Sequence, residues 1–300
     1  MFENLLSERG LSLDRLRNFC EIASKGSIAQ AAGAELSRQS LYSRQVSELE
    51  EFFGVELTRR KGKGLEITKA GYKLAAAARS QLQALEDFKT ECANEPLDFR
   101  IAAGNSILEW MLIPSLAQLR ETIGMQRIHL YTMRSRDVVA GLIDHTVDFG
   151  IIRKTAVVPP LKFKALCELD YALFYPSAWK TISSKAQLQQ TSIAIPEGGE
   201  FFGAVQSLAA KQKLSLQISY YCTSHTQASQ LVRMGVSAAI LPRIAERSLA
   251  GSARLHELPW LAPYRRPIGL VWHQRLISIR PKAETLLNAS CEILQGKATE

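Results

Sequence analysis

Short hydroxyl, amide and guanidinium side chains recur between Gly26 and Gly54 at a spacing that could bind a polyanion. This stretch predicts two helices joined by a short turn, and at about 100° per residue the second helix has two contrasting faces. One stripe carries apolar side chains, those of Tyr42, Val46, Leu49 and Phe53. The opposite side carries Ser40, Ser43, Arg44 and Ser47, with Gln39 on its flank. Because such groups bond base edges and phosphate oxygens, we interpret this helix as a DNA-recognition helix.

A basic segment follows this helix and contains a glycine-bearing turn, 61–64. Residues 55–60 and 65–68 predict two short strands around the turn, since Leu65 and Ile67 alternate with polar neighbours. Beside a helix-turn-helix, such a hairpin is typical of a wing that rests on the phosphate backbone. The wing would contribute Arg59, Arg60, Lys61 and Lys63, although Arg59 and Lys61 could also be plain solvated charges. A loop that cradles a nucleotide phosphate is the weaker interpretation, because the full G-x-x-x-x-G-K-[ST] spacing is missing.

Two residues of the recognition helix allow more than one role. Arg44 could hold a guanine or a phosphate, and we favour the phosphate because phosphate contacts are the more common class. Tyr42 could stack on a base. It lies on the apolar stripe, however, where its ring would bury apolar area, so we interpret it as a core residue.

Catalytic and metal-binding chemistry find little support. The histidines show no H-x-x-x-H or H-E-x-x-H spacing, there is no G-x-S-x-G elbow, and no G-x-G-x-x-G follows the first strand of the later half. The five cysteines are scattered and form no C-x-x-C pair, which fits reduced thiols and argues against a zinc site or a disulfide framework. A redox-sensing role for one of them stays open as a minor alternative. We expect neither an enzyme nor a bound cofactor or metal.

Composition sets the outer limits. A chain of 300 residues suits two or three domains, and 46% hydrophobic with 22% charged residues is typical of a globular protein. No apolar run of about 18 residues exists, and the N-terminus lacks the apolar core of a secretion signal, so a cytoplasmic protein without a membrane partner is expected. The net charge of +8 hints at a polyanionic partner, but residues 1–95 carry 14 basic and 14 acidic residues. Local clustering, rather than net charge, therefore favours DNA.

The N-terminal region is helical by pattern. Residues 12–24 predict an amphipathic helix, and Ser27 with Gln30 makes a capping-box pattern that begins a second helix. The recognition helix is expected to begin near Ser37 or Arg38.

One long alanine-rich helix is predicted over residues 68–94. It carries an apolar repeat of Leu74, Ala78, Leu82 and Leu85, which suits packing against a partner helix. Docking on its own domain is the alternative. Glu95-Pro96 closes the helix and marks a domain boundary.

Beyond residue 96, strands alternate with helices, which predicts an α/β domain. Several strands are near-continuous apolar runs, as in a buried parallel sheet. The expected strands are 99–103, 127–133, 149–152, 171–175, 192–195, 217–222, 238–241 and 268–272. The helices expected between them include 107–121, 137–145 and 227–234. Polar stretches near 154–168 and 254–267 are expected to be two crossings between a pair of lobes.

The predicted fold class is therefore an α/β multidomain chain with a mostly α-helical head. Its parts are a winged helix-turn-helix domain (1–68), a linker helix (69–95) and a two-lobed α/β domain (96–300). Within that domain, 96–165 and 268–300 form the first lobe and 166–267 the second.

Residue patterns along nearly the whole chain share their order and spacing with one known family. In the N-terminal part they are Leu16-Arg17-x-Phe19, Gly26-Ser27, Ala31-Ala32, Gln39, Ser43-Arg44-Gln45-Val46, Leu49-Glu50, Phe53-Gly54 and Leu65-x-x-Thr68-x-Ala70-Gly71. In the later part they are Arg100-Ile101, the run from Leu142 through Val147-Asp148-Phe149-Gly150-Ile151, and Val232-x-x-Gly235-Val236-x-x-Ala239-x-Leu241-Pro242. Together they resemble a LysR-type transcriptional regulator.

The resemblance implies a winged helix-turn-helix, a long dimerisation helix and an effector-binding domain similar to a periplasmic solute-binding protein. It also implies homodimers or homotetramers, assembled through the linker helix and the effector domain, that control a neighbouring promoter in response to a small molecule. Three positions depart from the family: Arg38 is usually a small hydroxyl residue, Ser40 is often proline, and Arg59 is usually acidic. Ser37 would then be the displaced N-cap, with Arg38 an extra phosphate contact and Arg59 an enlargement of the wing.

The resemblance places the effector pocket between the lobes, at strand-to-helix junctions. The residues there are Asn105, Ser106, Ser135 and Arg153 from the first lobe, and Pro196, Glu197, Gly198, Thr223, Ser224 and His225 from the second. Helix N-termini favour anionic or polar ligands, and Arg153 could meet a carboxylate bidentately. Each of the three serines could instead cap a helix, and Arg153 could equally pair within the protein.

The sequence therefore predicts an oligomeric, ligand-responsive transcription regulator that binds double-stranded DNA at a dyad-related site. It would sense a small metabolite, and the basic later region favours an anion. A solute-binding receptor without a gene-regulatory role is the alternative, opposed by the intact N-terminal module. An α/β enzyme would need a catalytic constellation, and an architectural DNA protein would have no use for a large two-lobed domain.

Overall fold

The computed structural model describes residues 3–6, 10–61 and 64–299. Within these ranges the helices are α1 (Glu3–Leu6), α2 (Leu13–Lys25), α3 (Ile28–Ala32), α4 (Leu36–Phe53), α5 (Lys69–Cys92), α6 (Asn105–Ile107), α7 (Leu116–Ile123), α8 (Ser135–Ile143), α9 (Lys185–Gln190), α10 (Gly199–Lys211), α11 (His225–Arg233), α12 (Glu246–Leu249), α13 (Leu276–Ile279) and α14 (Lys282–Thr299). The strands there are β1 (Thr58–Lys61), β2 (Gly64–Ile67), β3 (Asp98–Ala103), β4 (Arg127–Thr132), β5 (Phe149–Arg153), β6 (Leu161–Leu169), β7 (Tyr171–Pro176), β8 (Ser192–Pro196), β9 (Gln217–Cys222), β10 (Ala238–Pro242), β11 (Ala253–His256) and β12 (Arg266–His273). None of the helices in the described ranges combines the length and the apolar character that crossing a bilayer requires.

The N-terminal module closes around an apolar core that α2, α3 and α4 share. Ser12 and Ser27 begin α2 and α3, since each hydroxyl accepts a hydrogen bond from the backbone N–H three residues on. Phe19, Ile22 and Leu49 are almost completely buried there. The predicted helix over 12–24 and the cap at Ser27 are confirmed.

The recognition helix begins slightly earlier than expected. α4 starts at Leu36, with extended Glu35 in the N-cap position (φ −91°, ψ 104°), so Ser37 already lies inside the first turn. The Ser37 hydroxyl donates to the Glu35 carboxylate at 2.9 Å. The N-cap predicted at Ser37 is therefore wrong. The helix begins one residue before Ser37, and the Ser37 hydroxyl bonds the Glu35 carboxylate instead of capping a backbone N–H. Gly54 ends the helix in the left-handed conformation (φ 63°), as expected.

α5 leaves the N-terminal module at a point where a glycine is required. Thr68 caps the helix by accepting the Gly71 N–H at 3.0 Å. A Cβ on Gly71 would lie 2.3 Å from the Leu57 carbonyl oxygen, so a larger residue would push α5 away from the hairpin. This close approach fixes the direction in which the long helix departs.

The two halves of α5 face different surroundings. Ala75 and Ala78 are buried, and Cys20 of α2 places its Sγ 3.4 Å from the Ala75 carbonyl oxygen. Leu85 and Phe88, by contrast, keep 55% and 67% of their surface exposed. Docking on the same chain therefore describes the first half of α5, while the second half leaves an apolar stripe uncovered within the described chain.

Two five-stranded sheets form most of the described chain beyond α5. The first has the order β4-β3-β5-β12-β6 and the second the order β11-β7-β10-β8-β9. β3 runs parallel to β4 and β5, and β8 runs parallel to β9 and β10, while β12 and β7 are antiparallel to their neighbours. We call these sheets, with the helices packed on them, the first lobe and the second lobe. The predicted two-lobed α/β fold is confirmed.

Both stretches expected to be polar crossings contain a strand, and the second of them, 254–267, also contains a crossing between the sheets. β6 pairs antiparallel with β12, and β11 pairs antiparallel with β7. Each lies at an edge of its sheet, and Lys162, Lys164 and Glu168 are exposed or half-buried along β6, so the apolar pattern of the strand is weak. The chain crosses between the sheets at Asp170, and again between β11 and β12.

A buried arginine joins α5 to the first lobe. Arg280 places its Nε 2.5 Å from Asp87 Oδ2 in α5 and its Nη1 2.7 Å from Asp148 Oδ1 just before β5. Its Nη2 also donates to the Asp98 carbonyl oxygen at 2.6 Å. Burial disfavours the charged guanidinium, but the carboxylates of Asp148 and Asp87 outweigh burial and raise the pKa of Arg280. We call Arg280, Asp87 and Asp148 the Arg280 clamp.

Replacing Arg280 with Met leaves the two buried carboxylates of the clamp without their counter-charge. We expect the free energy of unfolding to fall by about 3–5 kcal/mol. Urea unfolding followed by circular dichroism at pH 7 measures the change. Arg275→Met, which removes an exposed guanidinium nearby, is the control and should change the free energy by less than about 0.5 kcal/mol. Equal unfolding midpoints for the two variants would contradict the prediction.

Candidate nucleic-acid interface and ligand cleft

α4 presents a polar face away from the core. Tyr42, Val46 and Leu49 are buried, whereas Ser40, Ser43, Arg44 and Ser47 are polar residues of the opposite face and Gln39 lies half-buried on its flank. Arg44 keeps 80% of its side chain exposed, and its Nε lies 3.0 Å from Glu48 Oε1. The Ser47 hydroxyl donates to the Ser43 carbonyl oxygen at 3.2 Å. The two faces lie as the sequence predicts, so hydroxyl, amide and guanidinium groups point to solvent from one side of the helix.

Arg38 lies on the flank of this face and is held by neighbouring side chains. Its Nε donates to the Tyr42 hydroxyl and its Nη2 donates to Glu21 Oε1, both at 2.9 Å. The Tyr42 hydroxyl in turn donates to Glu21 Oε2 at 2.6 Å. The bond with Tyr42 raises the pKa of Arg38, and burial raises the pKa of Tyr42. Tyr42 is thus a core residue whose hydroxyl ties α4 to α2. A phosphate bound by Arg38 would have to share the guanidinium with the Glu21 carboxylate.

The hairpin β1–β2 is anchored to the end of α4. Glu50 Oε1 accepts hydrogen bonds from the backbone N–H groups of Leu57 and Thr58, each at 2.8 Å. The Thr58 hydroxyl donates to the same oxygen at 3.1 Å. One carboxylate of the recognition helix therefore ties the hairpin to α4, beside the core that Leu57 and Ile67 share with Val46 and Leu49.

Basic residues run along this hairpin. Arg59 pairs with Glu66 of the facing strand at 2.6 Å, and Arg60 is exposed. Lys61 is the last residue of β1, and Lys63 lies outside the described residues. The pairing of Arg59 across the strands agrees with the alternative that it is not a dedicated phosphate ligand. Arg60 is exposed and can contact a phosphate.

A cavity of about 280 Å³ opens between the lobes. Arg153 ends β5 and Arg266 begins β12 in the first lobe, and Glu200 lies in the first turn of α10 in the second lobe. Glu200 Oε2 lies 3.0 Å from Arg153 Nη1 and 2.7 Å from Arg266 Nη1. One carboxylate therefore bridges two guanidinium groups from one lobe to the other.

Aromatic rings line the same cavity. The rings of Tyr171 and Phe201 stack with centroids 4.7 Å apart, and the Tyr264 ring lies 5.8 Å from that of Phe201. The Arg266 guanidinium lies over the Tyr264 ring, 4.4 Å from its centroid. Burial raises the pKa of both tyrosines, so both hydroxyls stay protonated near neutral pH. The cleft can thus hold an anion beside a planar apolar group.

The structure brings three of the predicted effector residues together, Ser135, Arg153 and Gly198, in the wall of this cavity. The others lie beyond the wall as the described chain forms it: Asn105, Ser106, Pro196, Glu197, Thr223, Ser224 and His225. Asn105 Nδ2 donates to Thr226 Oγ1 at 2.6 Å, which is a second contact between the lobes. A ligand role for these residues stays a prediction.

The helix-cap alternative holds for one of the three predicted serines. The Ser224 hydroxyl accepts the Gln227 N–H at 3.2 Å at the start of α11. Ser106 and Ser135 already lie inside α6 and α8, whose N-cap residues are Gly104 and Arg134. Ser135 is therefore available to a ligand in the cavity, where it forms part of the wall.

Five charged or aromatic residues of the cavity wall were missed by the sequence reasoning: Tyr171, Glu200, Phe201, Tyr264 and Arg266. Glu200 and Phe201 follow Gly198 closely in the chain. A search that continued a few residues beyond each strand-to-helix junction would have found them. Arg266 comes at the start of a strand. Because β12 runs antiparallel to β5, its first residues lie beside the last residues of β5, and this pairing is not readable from strand order alone.

Burial disfavours thiolates in this chain. It raises the pKa of Cys20, Cys222 and Cys291, and that of Cys167 to about 11. These thiols therefore stay protonated near neutral pH, whereas reactive cysteines need a thiolate. The redox-sensing alternative gains no support from these four residues.

A polar helix with a basic hairpin, carried on a long helix and joined to a two-lobed α/β domain with a cleft, is the arrangement of a DNA-binding regulator with an effector-binding domain. Residues 13–72 match the model of the bacterial regulatory helix-turn-helix proteins of the lysR family. Residues 97–290 match the model of the LysR substrate binding domain. The chain belongs to the LysR family and is a DNA-binding transcriptional regulator with an effector-binding domain. The family and fold predicted from the sequence are confirmed.

Individual members of this family are distant in sequence. The probable HTH-type transcriptional regulator LrrA of Synechococcus elongatus is 24% identical over 269 residues, which cover 86% of this chain and 90% of LrrA. A single-substitution variant of full-length OxyR from Pseudomonas aeruginosa shares the fold with a TM-score of 0.65 at 18% identity, covering 95% of this chain and 97% of that one. CbnR complexed with its target DNA has a TM-score of 0.52 at 19% identity, covering 93% and 100%.

His225 lies behind the aromatic rings of the cleft. Its ring centroid lies 4.7 Å from that of Phe201 and 5.9 Å from that of Tyr171. Burial lowers the pKa of His225 from 6.5 to about 4, and a hydrogen bond with the Ile240 backbone opposes part of this effect. The folded chain therefore keeps this imidazole neutral at a pH where the unfolded chain protonates it.

The His225 imidazole should make the fold less stable in acid. As the pH falls from 6.5 towards 4, the unfolded chain binds a proton that the folded chain does not, so the free energy of unfolding decreases. We expect His225→Gln to abolish about 2 kcal/mol of the decrease between pH 7 and pH 5. Denaturant unfolding of wild type and variant at both pH values measures this difference. A parallel pH dependence in the two proteins would refute the assignment.

Proposed function

We propose that this protein is an oligomeric, ligand-responsive regulator that acts in the cytoplasm, where it binds a dyad-related promoter site. The observation that carries the proposal is the exposed polar face of α4 beside a basic hairpin, on a chain that also holds an interlobe cleft. The shared fold with CbnR, which has been solved with its target DNA, supports the same conclusion.

The recognition helix would enter the major groove and the hairpin would follow the phosphate backbone. On the helix, the contacts would come from Gln39, Ser40, Ser43, Arg44 and Ser47. On the hairpin, they would come from Arg59, Arg60, Lys61 and Lys63. Arg38 would mainly hold the helix in place, because its guanidinium is bonded to Glu21 and Tyr42.

Self-association would bring two such heads together. Leu85 and Phe88 expose an apolar stripe on the outer half of α5, and the same stripe of a second copy could cover it. Two recognition helices related by a dyad would then enter successive major grooves, about 34 Å apart.

The cleft would sense a small anion. Arg153 and Arg266 bring two positive charges to it and Glu200 brings one negative charge, so one unit of positive charge is left for a ligand. A ligand that binds one arrangement of the lobes more tightly than another would shift the population towards it.

Arg44→Ala should weaken binding to the DNA upstream of the gene for this protein by about tenfold. The slope of log affinity against log salt should fall by about 1, because one phosphate contact is lost. Gel-shift titrations at several salt concentrations measure both quantities. Arg136→Ala is the matched control, since Arg136 is also exposed beside a carboxylate, that of Asp137, but lies in the effector domain. Equal affinity for upstream and scrambled DNA in the wild-type protein would contradict the proposed function itself.

Phe88→Glu should reduce self-association at least tenfold, because it places a charge in the apolar stripe that a second α5 would cover. Sedimentation equilibrium over a range of protein concentrations measures the change. Met125→Glu is the control, since Met125 is similarly exposed but lies between α7 and β4 of the first lobe. An association constant that is the same for wild type and Phe88→Glu would remove α5 from the interface.

A further inference from the structure

The three charged groups of the cleft differ in how freely they can move. Glu200 keeps 61% of its side chain exposed, whereas Arg153 and Arg266 keep 35% and 13%. The two cations are therefore the more buried members of the group, and the anion is the member most open to solvent. Ion pairs with so exposed a partner contribute little, so the Glu200 carboxylate can leave at small cost.

The backbone before Glu200 can turn freely. Gly198 and Gly199 both have positive φ angles, 76° and 70°, in the left-handed region that favours glycine. A Cβ added at either position would meet open space, so the segment is not wedged against its neighbours. Since glycine also reaches the ordinary backbone regions, this pair can adopt other backbone angles just before Glu200.

Arg153 keeps an unused hydrogen-bond donor. Its Nη1 donates to Glu200, but its Nε is buried and has no hydrogen-bond partner among the described residues. A guanidinium holds a carboxylate best through two parallel N–H groups. A ligand carboxylate that accepted hydrogen bonds from both Nε and a terminal nitrogen of Arg153 would make the bond to Nε that Glu200 does not make.

The rest of the wall favours a planar apolar group beside the anion. Tyr171, Phe201 and Tyr264 present ring faces and edges to the cavity, and Ile107 and Ile268 add aliphatic surface. A volume of about 280 Å³ admits a small ring with one substituent, at the lower end of ligand sites.

We propose that Glu200 is a built-in competitor that takes the place of the ligand between Arg153 and Arg266, and that the ligand is a small carboxylate on a planar apolar ring. This inference rests on the proposed function, in which the cleft is the effector site. The ligand carboxylate displaces Glu200 and bonds both guanidinium groups, while its ring lies against the aromatic wall. Displacement breaks an ion pair between the lobes, so the free and bound forms differ in how the lobes are joined.

Benzoate, benzamide and acetate separate the two requirements, since benzamide lacks the charge and acetate lacks the ring. Isothermal titration calorimetry of each compound into the full-length wild type and Glu200→Gln compares their affinities. Removing the competing carboxylate should tighten benzoate binding by about threefold to fivefold. Benzamide affinity should stay unchanged between the two proteins, and acetate should bind more weakly than benzoate to both.

Glu246→Gln is the matched control. It removes an exposed carboxylate from the first turn of another helix of the second lobe, α12, outside the cavity wall, and it should match wild type. Glu200→Asp is the second arm. It keeps the charge but withdraws the carboxylate from the bridging position, so it should also tighten benzoate binding, and it serves where the glutamine variant fails to fold.

The results separate two questions, whether Glu200 competes with the ligand and whether the cleft is the effector site. Benzoate affinity that is equal in wild type and Glu200→Gln, yet lost in Arg153→Ala, overturns the competitor and leaves the cleft as the effector site. Benzoate affinity that survives both Arg153→Ala and Arg266→Ala overturns the cleft, and with it the proposed effector site. Failure of every form to bind benzoate overturns the ligand class.

Discussion

The buried guanidinium of Arg280 is the interaction on which the arrangement of this chain depends. It bonds Asp87 of the linker helix and Asp148 of the first lobe, residues 193 and 132 positions away in the sequence. Taking three charges out of water is costly, but the carboxylates, the Asp98 carbonyl oxygen and the Phe99 ring below the guanidinium offset that cost. The linker helix is therefore held at one angle to the first lobe, and the DNA-binding head follows it.

A second arginine strengthens the same connection nearer the head. Arg79 of α5 donates to the Cys20 carbonyl oxygen of α2 at 3.3 Å, and also to the Asp144 carbonyl oxygen that follows α8. Head, linker helix and first lobe thus form one unit. The second lobe is attached differently, through Trp110 packed into its core and through polar contacts that solvent reaches, among them the Glu200 bridge.

The parts of this architecture that the sequence predicts are those with a local signal. β3, β5, β8 and β10 are apolar runs, and the two faces of α4 follow from helical spacing alone. The strands β6 and β11 were not predicted, because charged residues interrupt their apolar pattern, Lys162, Lys164 and Glu168 in β6 and Arg254 in β11. Long-range pairing leaves no local signal at all, so neither the Arg280 clamp nor the meeting of Arg266 with Glu200 could be predicted.

The Arg280 clamp and the Glu200 bridge differ in strength, and this difference decides which of the two interactions a ligand can break. Coupling between sites in proteins is typically about 1–3 kcal/mol. Breaking a buried ion pair such as the clamp costs about 3–5 kcal/mol, whereas an exposed bridge such as that of Glu200 contributes about 0–1 kcal/mol. Of the two, the Glu200 bridge is therefore the one that a ligand in the cleft would break, while head, linker helix and first lobe would stay together. A movement of the second lobe can reach the DNA if this lobe contacts another copy of the chain, whose head it displaces.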